Sequence, residues 1–263
     1  AVVTLALIAL SALWISGGAA TALIGLAQRD PVRTAPPADW RPEADTAILV
    51  LLCGEDAAPL ARYLDGLHSG LLRSGLGQSA RIFVLSDTSQ PDRIALEEAA
   101  LGDLVAAGRI SYRRRVENTG RKPGNIADWL RNHGDGFAYM AVLDADSRMS
   151  AARLRDMIHR IEARPRLGLL QAGMRLVPAR TRFGRHQRVS SRLLSPNFGR
   201  GMAAWSGTSG NYWGHNAILR VAAFRAAADL PRLSGPAPFG GAPLSHDFVE
   251  AAWIRRAGWA VEL

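Results

Sequence analysis

The sequence predicts an α/β fold with a mostly parallel central sheet, preceded by one transmembrane helix. Three observations predict it. The first 28 residues, "AVVTLALIALSALWISGGAATALIGLAQ", carry no charged side chain. From residue 46 onward, apolar runs of strand length alternate with amphipathic stretches of helix length, the pattern of strand-helix-strand units around a parallel sheet. Four strand-like runs end in polar or acidic residues, Glu55–Asp56, Asp87, Asp144–Asp146 and Gln171. In open α/β sheets, ligands gather beyond the carboxyl ends of the strands.

The N-terminal run exceeds the roughly 18 uncharged residues a helix needs to cross a hydrocarbon core of about 30 Å. A signal peptide is the competing reading, but it has a shorter apolar region behind a basic segment, and no such segment stands here. Arg29, Arg33 and Arg41 follow the span, which places the rest of the chain in the cytoplasm by the positive-inside bias. Residues 29–45, "RDPVRTAPPADWRPEAD", are rich in proline and read as a juxtamembrane linker.

The folded part then unrolls in order. "TAILVLL" is a buried strand and "APLARYLDGLHSGLLRSG" a helix with Pro59 in its first turn. "ARIFVLSD" is a second strand, followed by a helix opened by Pro91. "RISYRRRV" is a third strand, "NIADWLRNHG" a helix, "FAYMAVLDAD" a fourth strand, "AARLRDMIHRIEA" a helix and "LGLLQAG" a fifth strand. Between residues 181 and 214 the periodicity blurs, and three readings stand: a membrane-surface segment, an acceptor groove or a solvated helix-loop face. "YWGHNAILRVAAF" resumes order, and "HDFVEAAWIRRAG" is a helix before a final strand, "WAVEL".

Composition narrows the function. The 263 residues suit one domain with an appendage, and 48% apolar content is ample for a core. Among 32 basic residues there is one lysine, Lys122; the net charge of +9 otherwise comes from scattered arginine. A lone cysteine, Cys53, excludes internal disulfides and fits a reducing compartment. Neither a Walker A loop nor a G-x-G-x-x-G turn is present, so P-loop hydrolysis and dinucleotide hydride transfer lack their parts. A non-catalytic, membrane-tethered basic protein would account for the arginines. It would not account for acidic strand ends, which repel phosphate unless a cation intervenes, and no nucleic-acid partner is expected. The initial Ala, in place of Met, suggests a piece of a longer protein.

Several residues carry possible chemistry. Asp144 and Asp146 stand two apart on a strand, hence on one face, and suit one hard cation completed by phosphate and water. Equally, Asp146 and Ser147 read as the cap of the helix beginning near Ala151. Asp247, with Glu250 three residues on, reads either as the N-cap of a capping box or as a base held ionised at a helix start. Lys122 reads as a point charge beside a phosphate, with Pro123-Gly124 permitting close backbone approach, or as part of a turn before a helix capped by Asn125. Residues 113–115 read as an arginine-rich strand edge or an anionic-lipid contact. His215 and His246 lack zinc spacing and read as structural.

The ordered set "CGED", "VLSD", "GRKPGNIADW", "VLDADS", "YWGHNAILR" and "LSHDFVEAAWIRRAGW" resembles the membrane-bound family 2 glycosyltransferases, in particular the glucans biosynthesis glucosyltransferase H family of Gram-negative inner membranes. The likeness spans roughly residues 46–263. It implies a GT-A fold there, an inverting transfer from UDP-glucose, Mg2+ or Mn2+ as cofactor, and a β-1,2-linked glucan acceptor for osmoregulated periplasmic glucans. It also implies a cytoplasmic catalytic domain at the inner membrane, contact with lipid, and acyl carrier protein as a further partner. By position, Asp87 and Lys122 match the uridine and diphosphate contacts, Glu55 lies near the base, Asp144 and Asp146 match the D-x-D metal motif, and Asp247 matches the general base. The resemblance leaves room for another family 2 synthase, cellulose- or hyaluronan-synthase-like. Three departures stand out. His246 replaces the Glu that precedes the base, Ala172 replaces the Thr after Gln171, and no Arg-Trp motif or further membrane span occurs before Leu263.

Overall fold

The computed structural model describes residues 2–28, 35–227, 230–236 and 239–263. Its elements run in the order α1 (Val2–Ala27), β1 (Thr46–Leu52), α2 (Ala57–Arg73), β2 (Ala80–Ser86), α3 (Pro91–Ala106), β3 (Ser111–Arg114), α4 (Arg121–His133), β4 (Tyr139–Asp144), α5 (Ala151–Glu162) and β5 (Leu167–Gln171). There follow α6 (Arg182–Ser206), β6 (Ala217–Arg220), α7 (Val221–Arg225), α8 (His246–Arg256) and β7 (Ala260–Glu262). Two compact units result: residues 1–34, 172–210 and 262–263 form one, and residues 35–171 with 211–261 form the other.

In the smaller unit, α1 is a 26-residue apolar helix, long and apolar enough to cross a membrane. At 1.5 Å per residue it measures about 39 Å. Gly25 is its buried residue, because the helix meets α6 there through bare backbone. A Cβ on Gly25 would lie 1.7 Å from the Asn197 carbonyl oxygen, and one on Gly201 would lie 1.7 Å from that of Thr21. Small residues permit helix axes to approach this closely. The expected linker is described from residue 35 onward; Arg29 and Arg33 lie outside the described residues.

The larger unit is a seven-stranded sheet in the order β3-β2-β1-β4-β6-β5-β7. β1 pairs in parallel with β2 and β4, and β2 with β3. β6 runs antiparallel between β4 and β5. Every residue of β1 is buried, as a strand covered on both faces requires. Each fully buried Leu or Ile contributes about 1.5–3 kcal/mol. The helices carry their apolar residues at matching intervals: Leu60, Leu64, Leu67 and Leu71 bury one face of α2, and Leu154, Ile158 and Ile161 one face of α5. Caps begin both, Asp56 accepting from Ala58 N and Ser150 from Arg153 N. Trp129 of α4 is fully buried between Phe83 and Phe137, with ring centroids 5.3 and 5.5 Å away.

This topology locates the ligand crevice. From β1 the chain winds through β2 to β3 on one side, then crosses to β4 on the other. Such a switch point opens a crevice at the strand ends. Glu55 follows β1 and Asp144 ends β4, so both border it.

Two local expectations change. The blurred segment contains a 25-residue helix, α6, with Pro196 inside it. The helix expected from Asn125 begins four residues earlier, at Arg121, so Lys122 and Pro123 occupy its first turn. Proline is tolerated there because the first N–H groups of a helix have no intrahelical partner.

Candidate active site

The carboxyl ends of β2 and β3 join through Asp87. Arg115, just past β3, donates from Nε to Asp87 Oδ1 at 2.8 Å and from Nη2 to Oδ2 at 2.7 Å. Asn125 of α4 adds a bond to Oδ1 at 2.9 Å, and Asn118 donates to the Asp87 carbonyl at 2.5 Å. Arg113 binds Asn125 Oδ1 at 2.5 Å and pairs with Asp128. The two arginines read as a strand edge thus turn inward and brace the site; Asp87 is 6% exposed. A planar guanidinium matches a carboxylate with two parallel bonds, which Lys cannot do. That suits Arg at position 115.

Arg115 also donates to the carbonyls of Thr119 and Arg121, at 3.1 Å each, and so anchors the turn into α4. The turn is compressed. Gly120 is left-handed at φ 73°, and a Cβ on Gly124 would lie 2.0 Å from the Thr119 carbonyl oxygen. The outcome is Lys122 in the first turn of α4, its Nζ ion-paired with Asp144 Oδ1. Asn125 serves Asp87 and does not cap α4, whose N-cap is Gly120.

Asp247 joins the same basin. From one point, the Cβ position of Gly214, Asp247 Oδ2 lies 3.5 Å away and Lys122 Nζ 3.7 Å away. Gly214 has φ 76° and precedes His215, whose carbonyl accepts from Gln171 Nε2 at 3.0 Å. Gln171 Oε1 in turn accepts from Trp213 N at 3.0 Å. The end of β5 therefore clamps the loop that carries Gly214. His215 Nδ1 lies 3.1 Å from Ser147 Oγ, a structural contact that ties this loop to the turn after β4.

The cap readings for the two aspartates do not hold. The N-cap of α8 is Ser245, so Asp247 sits inside the first turn, and Glu250 pairs with His246 at 3.3 Å. The cap of α5 is Ser150. β4, however, ends at Asp144, and Asp146 lies in a turn closed by Ser147 N to Asp144 O at 2.9 Å. The alternation of an extended strand therefore does not orient Asp146. It is exposed and makes no ion pair or side-chain hydrogen bond among the described residues.

Glu55 folds onto its own strand end, its Oε2 accepting from Cys53 N at 2.6 Å, while Gly54 N donates to Thr88 Oγ1 at 2.8 Å. Burial first, then Glu55 and Asp87, push the Cys53 thiol up.

Tyr212 and Gly214 complete the basin and were not singled out by residue type, while Glu250, read as a capping partner, acts on Tyr212 there. Tyr212 is 1% exposed, and its hydroxyl has no hydrogen-bond partner among the described residues. Burial, then Glu250, Asp144 and Asp247, hold it far above the usual tyrosine range. Burial also raises Glu250, against the pull of His246. Only the block "NYWGHN" signals this part of the site in the sequence.

As a metal site, the chain offers two carboxylates. No cluster of three or more His, Cys, Asp or Glu suited to an ion occurs among the described residues. That set fits a hard dication such as Mg2+ or Mn2+, which keeps waters and takes substrate phosphate oxygens in place of a protein cage.

The chain is similar to known proteins in sequence and in fold. Residues 49–227 match the family model described as glycosyl transferase family 2. A protein of Cereibacter sphaeroides called glucans biosynthesis glucosyltransferase H is 44% identical over 97% of this chain and 44% of its own length. Proteins of the same name from Bradyrhizobium diazoefficiens and Xylella fastidiosa are 44% and 43% identical, over 82% and 83% of this chain and 29% and 35% of theirs. The chain thus spans less than half the length of these curated relatives. A mannosyltransferase from Pyrobaculum calidifontis, solved in complex with GDP-Man and Mn2+, superposes with a TM-score of 0.62 at 15% identity, over 97% of this chain and 64% of that one. It shares the GT-A fold. The matched stretch of the family model holds Glu55, Asp87, Lys122, Asp144 and Asp146 and ends before Asp247. On that match, over most of its sheet and of its candidate site, the chain belongs to glycosyl transferase family 2.

Proposed function

We propose that this chain carries the catalytic domain of an inverting glucosyltransferase that moves glucose from UDP-glucose onto a growing β-1,2-glucan. The domain works on the cytoplasmic side of a bacterial inner membrane. The observation that carries the reading is the convergence of Lys122, Asp144 and Asp247 at Gly214. It brings a cation for a leaving diphosphate and a carboxylate for an acceptor hydroxyl to one place.

In this reading Asp247 accepts the proton of an acceptor hydroxyl, and that oxygen attacks the anomeric carbon. The bond to the diphosphate oxygen breaks with inversion, and UDP departs. Lys122 faces the departing diphosphate from the first turn of α4, where backbone N–H groups also favour an anion. Asp144 and Asp146 would hold Mg2+ or Mn2+, which when bound would supply charge stabilisation for the leaving diphosphate. Asp87, braced by Arg115, and Glu55 border the space for the uracil ring. The glucosyltransferase H names of the relatives support glucose as the transferred sugar.

The test is donor choice. In the whole protein, UDP release should be fastest with UDP-glucose, and linkage analysis of the product should return 1,2-linked glucose. Preference for GDP-mannose or UDP-N-acetylglucosamine, or a different linkage, would overturn the assignment.

A further inference from the structure

Residues 172–210 contain seven arginines and no acidic residue. This excursion between β5 and β6 belongs to the same compact unit as α1. Its helix, α6, is two-sided. Phe183, Leu194, Phe198 and Trp205 are separated by 11, 4 and 7 residues, so they share one stripe. All four are exposed, at 72%, 68%, 37% and 62%. Arg185, Arg188 and Arg192, separated by 3 and 4, form another stripe, and none of them makes an ion pair among the described residues. Gly201, the point of contact with α1, lies seven residues after Leu194 and therefore on the apolar side. α1 and the apolar stripe thus lie toward one side of α6, and the arginines lie away from it.

A soluble surface does not leave four large apolar side chains in a row beside an exposed apolar helix of bilayer length. Arginine lacking acidic partners, next to such a stripe, suits anionic headgroups, with the side-chain stem in the apolar layer and the charge at its edge. We infer that α6 is a docking surface for anionic phospholipid. Its Phe183–Trp205 stripe is buried in the acyl boundary beside α1, and its Arg185–Arg192 stripe lies among lipid phosphates.

The test uses the protein in lipid nanodiscs with Cys53 replaced by Ser and a single spin label at position 194, 198, 185 or 192. The discs contain phosphatidylcholine alone or with phosphatidylglycerol. Labels at 194 and 198 should collide with oxygen and be shielded from a water-soluble nickel chelate, and labels at 185 and 192 should show the reverse. Phosphatidylglycerol should be enriched around the protein, and the triple change Arg185→Gln, Arg188→Gln, Arg192→Gln should abolish the enrichment while the stripe stays oxygen-accessible. Nickel access on both faces would overturn the inference. So would immobile labels shielded from both probes, the mark of a protein partner or a second copy. Enrichment unchanged in the triple variant would also overturn it, since another surface would then be the lipid site.

Discussion

Arg115 grips both oxygens of Asp87, Nε to Oδ1 at 2.8 Å and Nη2 to Oδ2 at 2.7 Å. The pair has side-chain exposures of only 11% and 9%. Breaking one member of a buried pair costs about 3–5 kcal/mol, because the other charge stays buried alone. Arg115→Leu should therefore lower the melting temperature markedly and weaken UDP binding. Arg115→Lys should rescue neither fully, since an ammonium cannot make both bonds. Full recovery by Lys, in thermal unfolding and in a UDP titration, would show that charge alone matters here.

The turn before α4 makes a sharper steric claim. Gly124→Ala places a methyl group 2.0 Å from the Thr119 carbonyl, so the first turn of α4 must shift and take Lys122 with it. Overpacking of this kind costs roughly 1–3 kcal/mol, and UDP affinity should fall as well. In α3, Gly102 has open space around its Cβ position. Gly102→Ala should raise stability by up to about 1 kcal/mol. The two substitutions, compared by denaturant unfolding, should differ in sign.

Much of the larger unit was legible in the sequence because its signals are local. β1 is apolar at nearly every position, α2 repeats leucine at helical intervals, and Pro59 and Pro91 mark helix starts. α6 was not legible: Pro196, three glycines and interleaved arginines hide its period, and its helical state is seen together with a backbone contact to α1. Lys122 was placed one step off, in a turn, because Pro123-Gly124 resembles a breaker when its place in a first turn is unknown. The inward turn of Arg113 depends on Asn125 and Asp128, and that of Arg115 on Asp87, all distant in the sequence, and no spacing rule reaches that far. Asp247 was recognisable as important, but two roles remained until the cap was found at Ser245.

Glu250 sets a pH dependence. Burial raises its carboxyl above the ordinary 4.5, so the folded protein holds that proton more tightly than the unfolded chain. The stability this provides is complete below 4.5 and is lost as pH rises through the higher folded value. Glu250→Gln should accordingly be more stable than wild type at neutral pH, with the advantage vanishing in acid below the ordinary carboxyl range. Melting curves across pH check this. A variant less stable at neutral pH would mean that the His246 contact outweighs burial.

Chelation tests the paired carboxylates. EDTA should abolish transfer and Mn2+ should restore it. Asp146→Asn should weaken UDP binding in the presence of Mn2+ and leave it unchanged in EDTA. Equal affinity of variant and wild type with Mn2+ would remove Asp146 from the metal site.

Asp247→Asn in the whole protein is the most direct measurement. General-base assistance is typically worth about 10²–10⁴-fold. The variant should lose glucosyl transfer on that scale while UDP affinity and melting temperature stay near wild type. Retained transfer, or a parallel fall in UDP binding and stability, would contradict a proton-accepting role for Asp247.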